Sequence, residues 1–461
     1  MSSRPPKPSS KAPRATSSQG QRGGDSRRPN QSNGGKQRRS QATTRRDAGI
    51  KAGGIKRLRE PLTYALRGAK NDDEVKESLT HPLHSYPARM HPATARALVQ
   101  LCFDTENTQP RVVLDPFCGS GTTLVEGRAA GLSVIGSDLN PLAARIARAK
   151  TWSCEKERLI AFEKLGEKIS AATVEEGKAA RRADYEPKPI RVPVGINPVE
   201  RDAEIAPWYS PHVRRELEFI AAAIDEHREV DPEMADMLSI CLSSLLIKTS
   251  NRSSDTSPKE MKRNIARGAP GRWFGERIKL MVQGLVDLHR EGAAGDVTIL
   301  ERDARFLQGA GGIKAESVGA IISSPPYIGT YDYVDHHRLR LAFLGMPYDN
   351  FERNEIGARR RFKGRAHEAA LKAIEDFKQC LKSFDEVLVP GGLMALMVGD
   401  SVAGVEPVWA DGVLREIADE RFEVLGWVSQ ERDKLGSLEK RAFGEYPKRE
   451  HVLLFEKRAK S

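Results

Sequence analysis

From about residue 55 onward the chain alternates short apolar runs with amphipathic stretches. RVVLDPFCGSGTTLVEGRAAGLSVIGSDLNPLAARIARAK (111–150) reads as a strand over Val112–Asp115, a Gly-rich turn, a helix over about 122–130, a strand over Val134–Asp138 and a helix over about 141–150. Two apolar strands joined by a helix form a βαβ unit, which predicts a parallel, doubly wound sheet. Residues 151–295 break the alternation. RRELEFIAAAIDEHREV (214–230) and MADMLSICLSSLLIKTS (234–250) carry helical spacing, so a mostly helical insertion is expected there. The sheet pattern resumes with VTILERDA (297–304), SVGAIISSPPY (317–327) and LMALMVGD (393–400). Helices are expected through EAALKAIEDFKQCLKSFDEVL (368–388) and near 407–419, and FEVLGWVSQ (422–430) with REHVLLFEK (449–457) reads as a closing antiparallel pair. The expectation is one α/β domain over 55–461 with a helical insertion over 151–295, preceded by a tail over 1–54.

Charge separates that tail from the rest. Residues 1–50 hold 12 Lys/Arg and 2 Asp/Glu, which accounts for +10 of the chain's net +11. The tail is rich in Ser, Gly, Pro, Gln and Arg and has almost nothing to bury, so it is expected to be disordered. Two readings stay open: a solubilising tail, or a polycation that holds nucleic-acid phosphates without reading sequence. No apolar run approaches the roughly 18–20 residues of a membrane span, so no membrane partner is expected. The five cysteines (102, 118, 154, 241 and 380) lack CxxC spacing. That argues against a zinc site or disulfide framework and suits a reducing cytoplasm.

The loop DPFCGSGTT (115–123) carries the first chemistry. Gly119 and Gly121 remove side chains where the backbone turns and approaches a ligand, and Thr122 is placed to cap the next helix. There is neither a GxGxxG fingerprint nor a GK[ST] that would clasp a triphosphate. Asp115 ends the first strand, at the sheet edge where ligands of open α/β folds bind. A carboxylate there repels phosphate and welcomes an amino group. Asp138 ends the second strand and can accept from ribose hydroxyls; Asp303 follows the third and can accept from an adenine amine. A ligand with a cationic amino-acid end, a ribose and an adenine, but no phosphate, is S-adenosylmethionine.

Three segments, DPFCGSGTT, SSPPY (323–327) and the upstream HSYPARMHPATARALV (84–99), together resemble the amino-methyltransferases that modify nucleic-acid bases. The DNA-modifying members carry an FxGxG motif, matched by Phe117 to Gly121, and a [SDN]-P-P-[YFW] motif, matched by Ser324, Pro325, Pro326 and Tyr327. The resemblance covers roughly 80–455 without the insertion. It implies a seven-stranded, mostly parallel Rossmann-like sheet, S-adenosylmethionine as cofactor and DNA as substrate. Phe117, with the glycines and acids above, falls on the cofactor side. The double proline fixes the backbone so that Ser324 or the Pro325 carbonyl accepts from an exocyclic amine, and Tyr327 stacks on the base. The base must be flipped out or already unpaired. Serine at the first motif position leans toward cytosine N4 over adenine N6. Carbon-5 methylation is excluded, because none of the five cysteines follows a proline.

DPFCGSGT also resembles RNA guanine-N2 methyltransferases, but those usually carry Asp-Pro-Pro-Tyr-Gly, and Ser324 and Ile328 depart from it. A non-catalytic nucleic-acid-binding protein on this fold is a further alternative. Many cytosine-N4 enzymes place SPPY before the glycine motif; here the order is reversed, and the insertion is the region large enough for target recognition. Candidate nucleic-acid contacts are His336, His337, Arg338 and Arg340; the basic stretch 359–365; the loop 439–451; and the stretch 251–273, with Asn251, Arg252, Lys259, Lys262, Arg263, Arg267 and Arg272.

Overall fold

The computed structural model describes residues 49–67, 72–103, 110–179, 198–255 and 257–459. The tail expectation therefore lies outside the described residues up to residue 48. Its end is corrected, because β1 (Lys51–Gly54) is a strand. The remaining strands are β2 (Val112–Asp115), β3 (Ser133–Asp138), a small hairpin of β4 (Arg252–Ser254) and β5 (Ser257–Glu260), β6 (Val297–Glu301), β7 (Val318–Ser323), β8 (Leu388–Gly399), a short pair β9 (Ser401–Ala403) and β10 (Glu406–Val408), β11 (Phe422–Arg432) and β12 (Lys448–Lys457).

One sheet of eight strands runs in the order β1-β11-β12-β8-β7-β2-β3-β6. The five strands from β6 to β8 are parallel, and β12, β11 and β1 add antiparallel pairs. Seven strands match the expected Rossmann-like methyltransferase sheet; β1 is the addition. It pairs Lys51 with Ser429 through Gly54 with Gly426, and Gly53 gives it room, since a Cβ there would stand 2.6 Å from the Trp427 indole nitrogen. β7 is buried at every position, which is why it reads as an unbroken apolar run.

Its parallel part starts at β2, moves outward to β3 and β6, and returns to the other side of β2 as β7. The carboxyl ends of β2 and β7 therefore flank the point where strand order reverses, the place at which such sheets bind ligands.

The expected insertion is helical, with helices over Lys156–Ala179, Pro198–Ile205, Pro211–Arg228, Pro232–Thr249 and Ala269–Arg290 plus the β4–β5 hairpin. Asp231 starts the fourth of these by accepting from the Met234 amide, with Pro232 in the first turn. The insertion shares a core with the helices Pro141–Lys150 and Tyr333–Leu344: Phe162, Leu217, Leu238 and Ile278 pack with Leu142 and Ile146 and with Leu339 and Phe343. The helix Tyr333–Leu344, which leaves the SPPY segment, is thereby fixed to it.

Candidate active site

A cleft of about 850 Å³, counted with its open mouth, lies at the switch point. Of the sequence-predicted site residues, Asp115, Phe117, Gly119, Asp138, Asp303, Ser324 and Pro326 line it, whereas Gly121, Pro325 and Tyr327 are not in its lining.

Asp115 projects from the end of β2 and is 4% exposed. Its Oδ1 accepts from Ser323 Oγ at 2.6 Å and from the Phe117 amide at 3.2 Å. Burial pushes its carboxyl up to about 6, against the pull of these hydrogen bonds. Asp138 has a second task. Its Oδ2 accepts from the Gly119 amide at 2.8 Å and its Oδ1 from the Asn140 amide at 2.9 Å, so it pins the glycine loop. Burial raises it to about 6 as well. Each oxygen retains lone-pair capacity for a ligand hydroxyl. Asp303 is held by Arg305 at 2.5 Å, and Arg305 also bonds Asp376 at 2.6 Å. What Asp303 offers a ligand is an oxygen already shared with a guanidinium.

The two glycines divide the work. Gly119, at φ +50°, lines the cleft, and a Cβ there would come 3.1 Å from the Tyr86 ring. Gly121, at φ +78°, serves packing: a Cβ would lie 3.1 Å from Ala147 on the neighbouring helix. The expected cap is corrected too. The helix Thr122–Ala129 starts at Gly121 with no side-chain cap, and the Thr122 hydroxyl is buried without a hydrogen-bond partner.

Ser324 and Pro326 form the wall where β7 ends. Tyr327 turns away from the cleft lining. Its hydroxyl donates to Glu450 Oε1 at 3.0 Å, and its ring borders a second cavity of about 350 Å³, counted with its open mouth.

The sequence did not single out Tyr86, Tyr333, Phe351 or Glu355, all of which line the cleft. Tyr86 lies within HSYPARMHP, so that motif carried a signal; its ring stacks 4.7 Å from His337. Glu355 receives the Tyr333 amide at 2.6 Å and an Arg360 guanidinium. Nothing in the short polar stretch around it announces a cleft. The lining carries one basic side chain, Arg89, against Asp115, Asp138, Asp303 and Glu355. That balance fits a cationic ligand without phosphate.

Several expected nucleic-acid contacts are corrected. Arg340 is 1% exposed and makes a bidentate pair with Asp255 at 2.9 and 3.0 Å, fastening the β4–β5 hairpin to the helix Tyr333–Leu344. His337 is buried and bonded to Asn140 Nδ2 at 2.9 Å. His336 is buried, edge-on to Tyr331 and Tyr333. Arg252 is buried over the Trp208 ring. Lys259, Lys262, Lys363 and Arg365 are exposed. Among the described residues, no helix is long and apolar enough to cross a membrane.

Residues 83–179 match the family described as UPF0020: RMKL-like, methyltransferase domain. Over 298 residues the chain is 28% identical to the type II methyltransferase M.MvaI of Kocuria varians, a match covering 59% of each protein. Over 388 residues it is 20% identical to the type II methyltransferase M.MjaII of Methanocaldococcus jannaschii, covering 69% of this chain and 72% of that one. The chain thus spans about 59% of the length of the first of these relatives. The rRNA methyltransferase aviRa from Streptomyces viridochromogenes superposes with a TM-score of 0.31 at 13% identity, over 86% of this chain and 96% of that one. These matches make the chain similar to methyltransferases, with a methyltransferase-domain match over residues 83–179.

Proposed function

We propose that the protein is an S-adenosylmethionine-dependent methyltransferase that acts on DNA and methylates an exocyclic amine of a base, cytosine N4 first and adenine N6 second. The observation that carries the reading is the meeting of SPPY and the acidic cleft: Ser324 and Pro326 share one lining with Asp115, Gly119 and Asp138. Asp115 and the Gly119 backbone take the methionine end, Phe117 packs beside it, Asp138 takes the ribose and Asp303 the adenine. When bound, S-adenosylmethionine supplies an electrophilic methyl on a sulfonium.

The remaining chemistry belongs to the protein. An exocyclic base amine is a poor nucleophile because its lone pair is delocalised into the ring. Ser324 Oγ and the Pro325 carbonyl, held still by two fixed proline φ angles, accept its N–H groups and turn the lone pair out of conjugation. The same acceptors would stabilise the positive charge that develops on the amine as it takes the methyl, and the released proton would pass to solvent. Tyr327 supplies the aromatic ring on which the extruded base stacks. A serine hydroxyl suits either amine, and the cytosine preference rests on the motif's resemblance.

The test is mass spectrometry of nucleosides from DNA and RNA of cells that express the protein. N4-methylcytosine in DNA is the expected new species. N6-methyladenine moves the target base within the same reading, and N2-methylguanosine confined to RNA overturns it. Ser324→Ala combined with Tyr327→Ala is expected to abolish product while cofactor binding persists.

A further inference from the structure

We propose that Glu450 and Arg432, on the antiparallel side of the sheet, are positioning residues that fix the Tyr327 ring for the base. This rests on the base-site reading above. The prolines immobilise the backbone before Tyr327 but leave its side-chain torsions free, so something else must set the ring. Three contacts do so.

The ring is seated on Gly399, at the end of β8. A Cβ at that position would fall 2.5, 2.9 and 3.2 Å from three of its atoms, so only glycine leaves room. Glu450 stands directly opposite Gly399 across the β8–β12 pair. The strand register therefore places the ring's seat and the acceptor for its hydroxyl side by side. Glu450 Oε1 accepts from the Tyr327 hydroxyl at 3.0 Å, while its Oε2 is gripped by Arg432 from β11, through Nε at 3.0 Å and through Nη2. The side chains of Arg432 and Glu450 are 8% and 16% exposed, so the pair has little freedom to turn.

The second cavity explains why the ring needs this hold. Beside Tyr327 it is walled by Phe377, Val398, Val408 and Leu414, and Ser401 lines it with a buried hydroxyl that has no partner. A phenol released from Glu450 would find the Ser401 hydroxyl, on the same cavity wall, as a competing partner. Glu450 thus acts on the base through the phenol, without touching the base.

The test compares Glu450→Ala, Glu450→Gln, Tyr327→Phe and Tyr327→Ala in the full chain, reading single-turnover methylation of duplex DNA alongside cofactor titration and thermal unfolding. Glu450→Ala and Tyr327→Phe are each expected to slow transfer by roughly tenfold or more, the scale of one hydrogen bond to a charged group. Cofactor affinity should hold, and Glu450→Gln, which keeps an acceptor, should recover most of the rate. Combining Tyr327→Phe with Glu450→Ala should be no slower than either alone. If Glu450→Ala costs as much in the Tyr327→Phe background as in the native one, the carboxylate does not act through the phenol and the proposal falls. Should Glu450→Ala fail to fold, Tyr327→Phe decides: a native rate overturns the proposal. Full activity of Tyr327→Ala would instead overturn the base-site reading itself, a result distinct from the others.

Discussion

Replacing Asp115 by Asn should stabilise the cofactor-free protein while disabling it. Asp115 is 4% exposed, and burial pushes its carboxyl from 3.8 to about 6. The folded state therefore holds the proton more tightly than the unfolded chain does. The stability contributed by this group is fully present below the unfolded value of 3.8 and is lost as pH rises through about 6. The loss corresponds to about 3 kcal/mol at most above pH 6. Asn cannot ionise, and its one carbonyl oxygen can still accept from Ser323 Oγ and the Phe117 amide, as Oδ1 does now. Urea unfolding followed by tryptophan fluorescence should show the variant more stable than the native protein at pH 7.5, by up to ~3 kcal/mol, with the advantage falling to about half at pH 5. Native cofactor affinity should likewise weaken as pH drops below about 6, because the protonated carboxyl no longer attracts an ammonium group. A variant less stable at pH 7.5, or one whose advantage grows as the solution is acidified, would refute the reasoning. Such a residue is a stability cost retained for binding.

Gly399→Ala should push the Tyr327 ring off its seat, since the new Cβ would meet it at 2.5 Å; the expected result is a transfer rate at least about tenfold lower with unchanged cofactor titration. Gly121→Ala, at φ +78° and against Ala147, should cost about 1–2 kcal/mol in thermal unfolding and weaken cofactor binding by distorting the loop. Arg340→Met should destabilise the fold by about 3–5 kcal/mol, because it strands Asp255 without its partner. The salt dependence of DNA affinity should stay as it was; a slope reduced by about one would mean that Arg340 contacts a phosphate after all.

How much of this site was legible in the sequence depends on what holds each residue. The parallel strands were, because strands buried on both faces read as apolar runs, and the acids that end them fall at the carboxyl edge by topology alone. β1 was not. KAGG has no apolar alternation, and its place comes from backbone pairing with β11 and from a glycine under Trp427. Arg340 and Arg252 were read as surface cations because charged side chains are seldom buried unless paired. The partner that makes burial tolerable for Arg340 is Asp255, 85 residues away in sequence.

The SPPY motif shows the same division on a smaller scale. Its four letters announce a stiff turn and an aromatic ring, and both are present. They say nothing of where the ring points, because that is set by three residues of three other strands. Gly399 and Glu450 meet across β8 and β12, and Arg432 arrives from β11. A one-residue slip of β12 against β8 would turn Glu450 to the other face of the sheet and leave the phenol without its acceptor. The closing antiparallel strands therefore do more than cover the parallel sheet: their register carries the aim of the ring that the motif supplies.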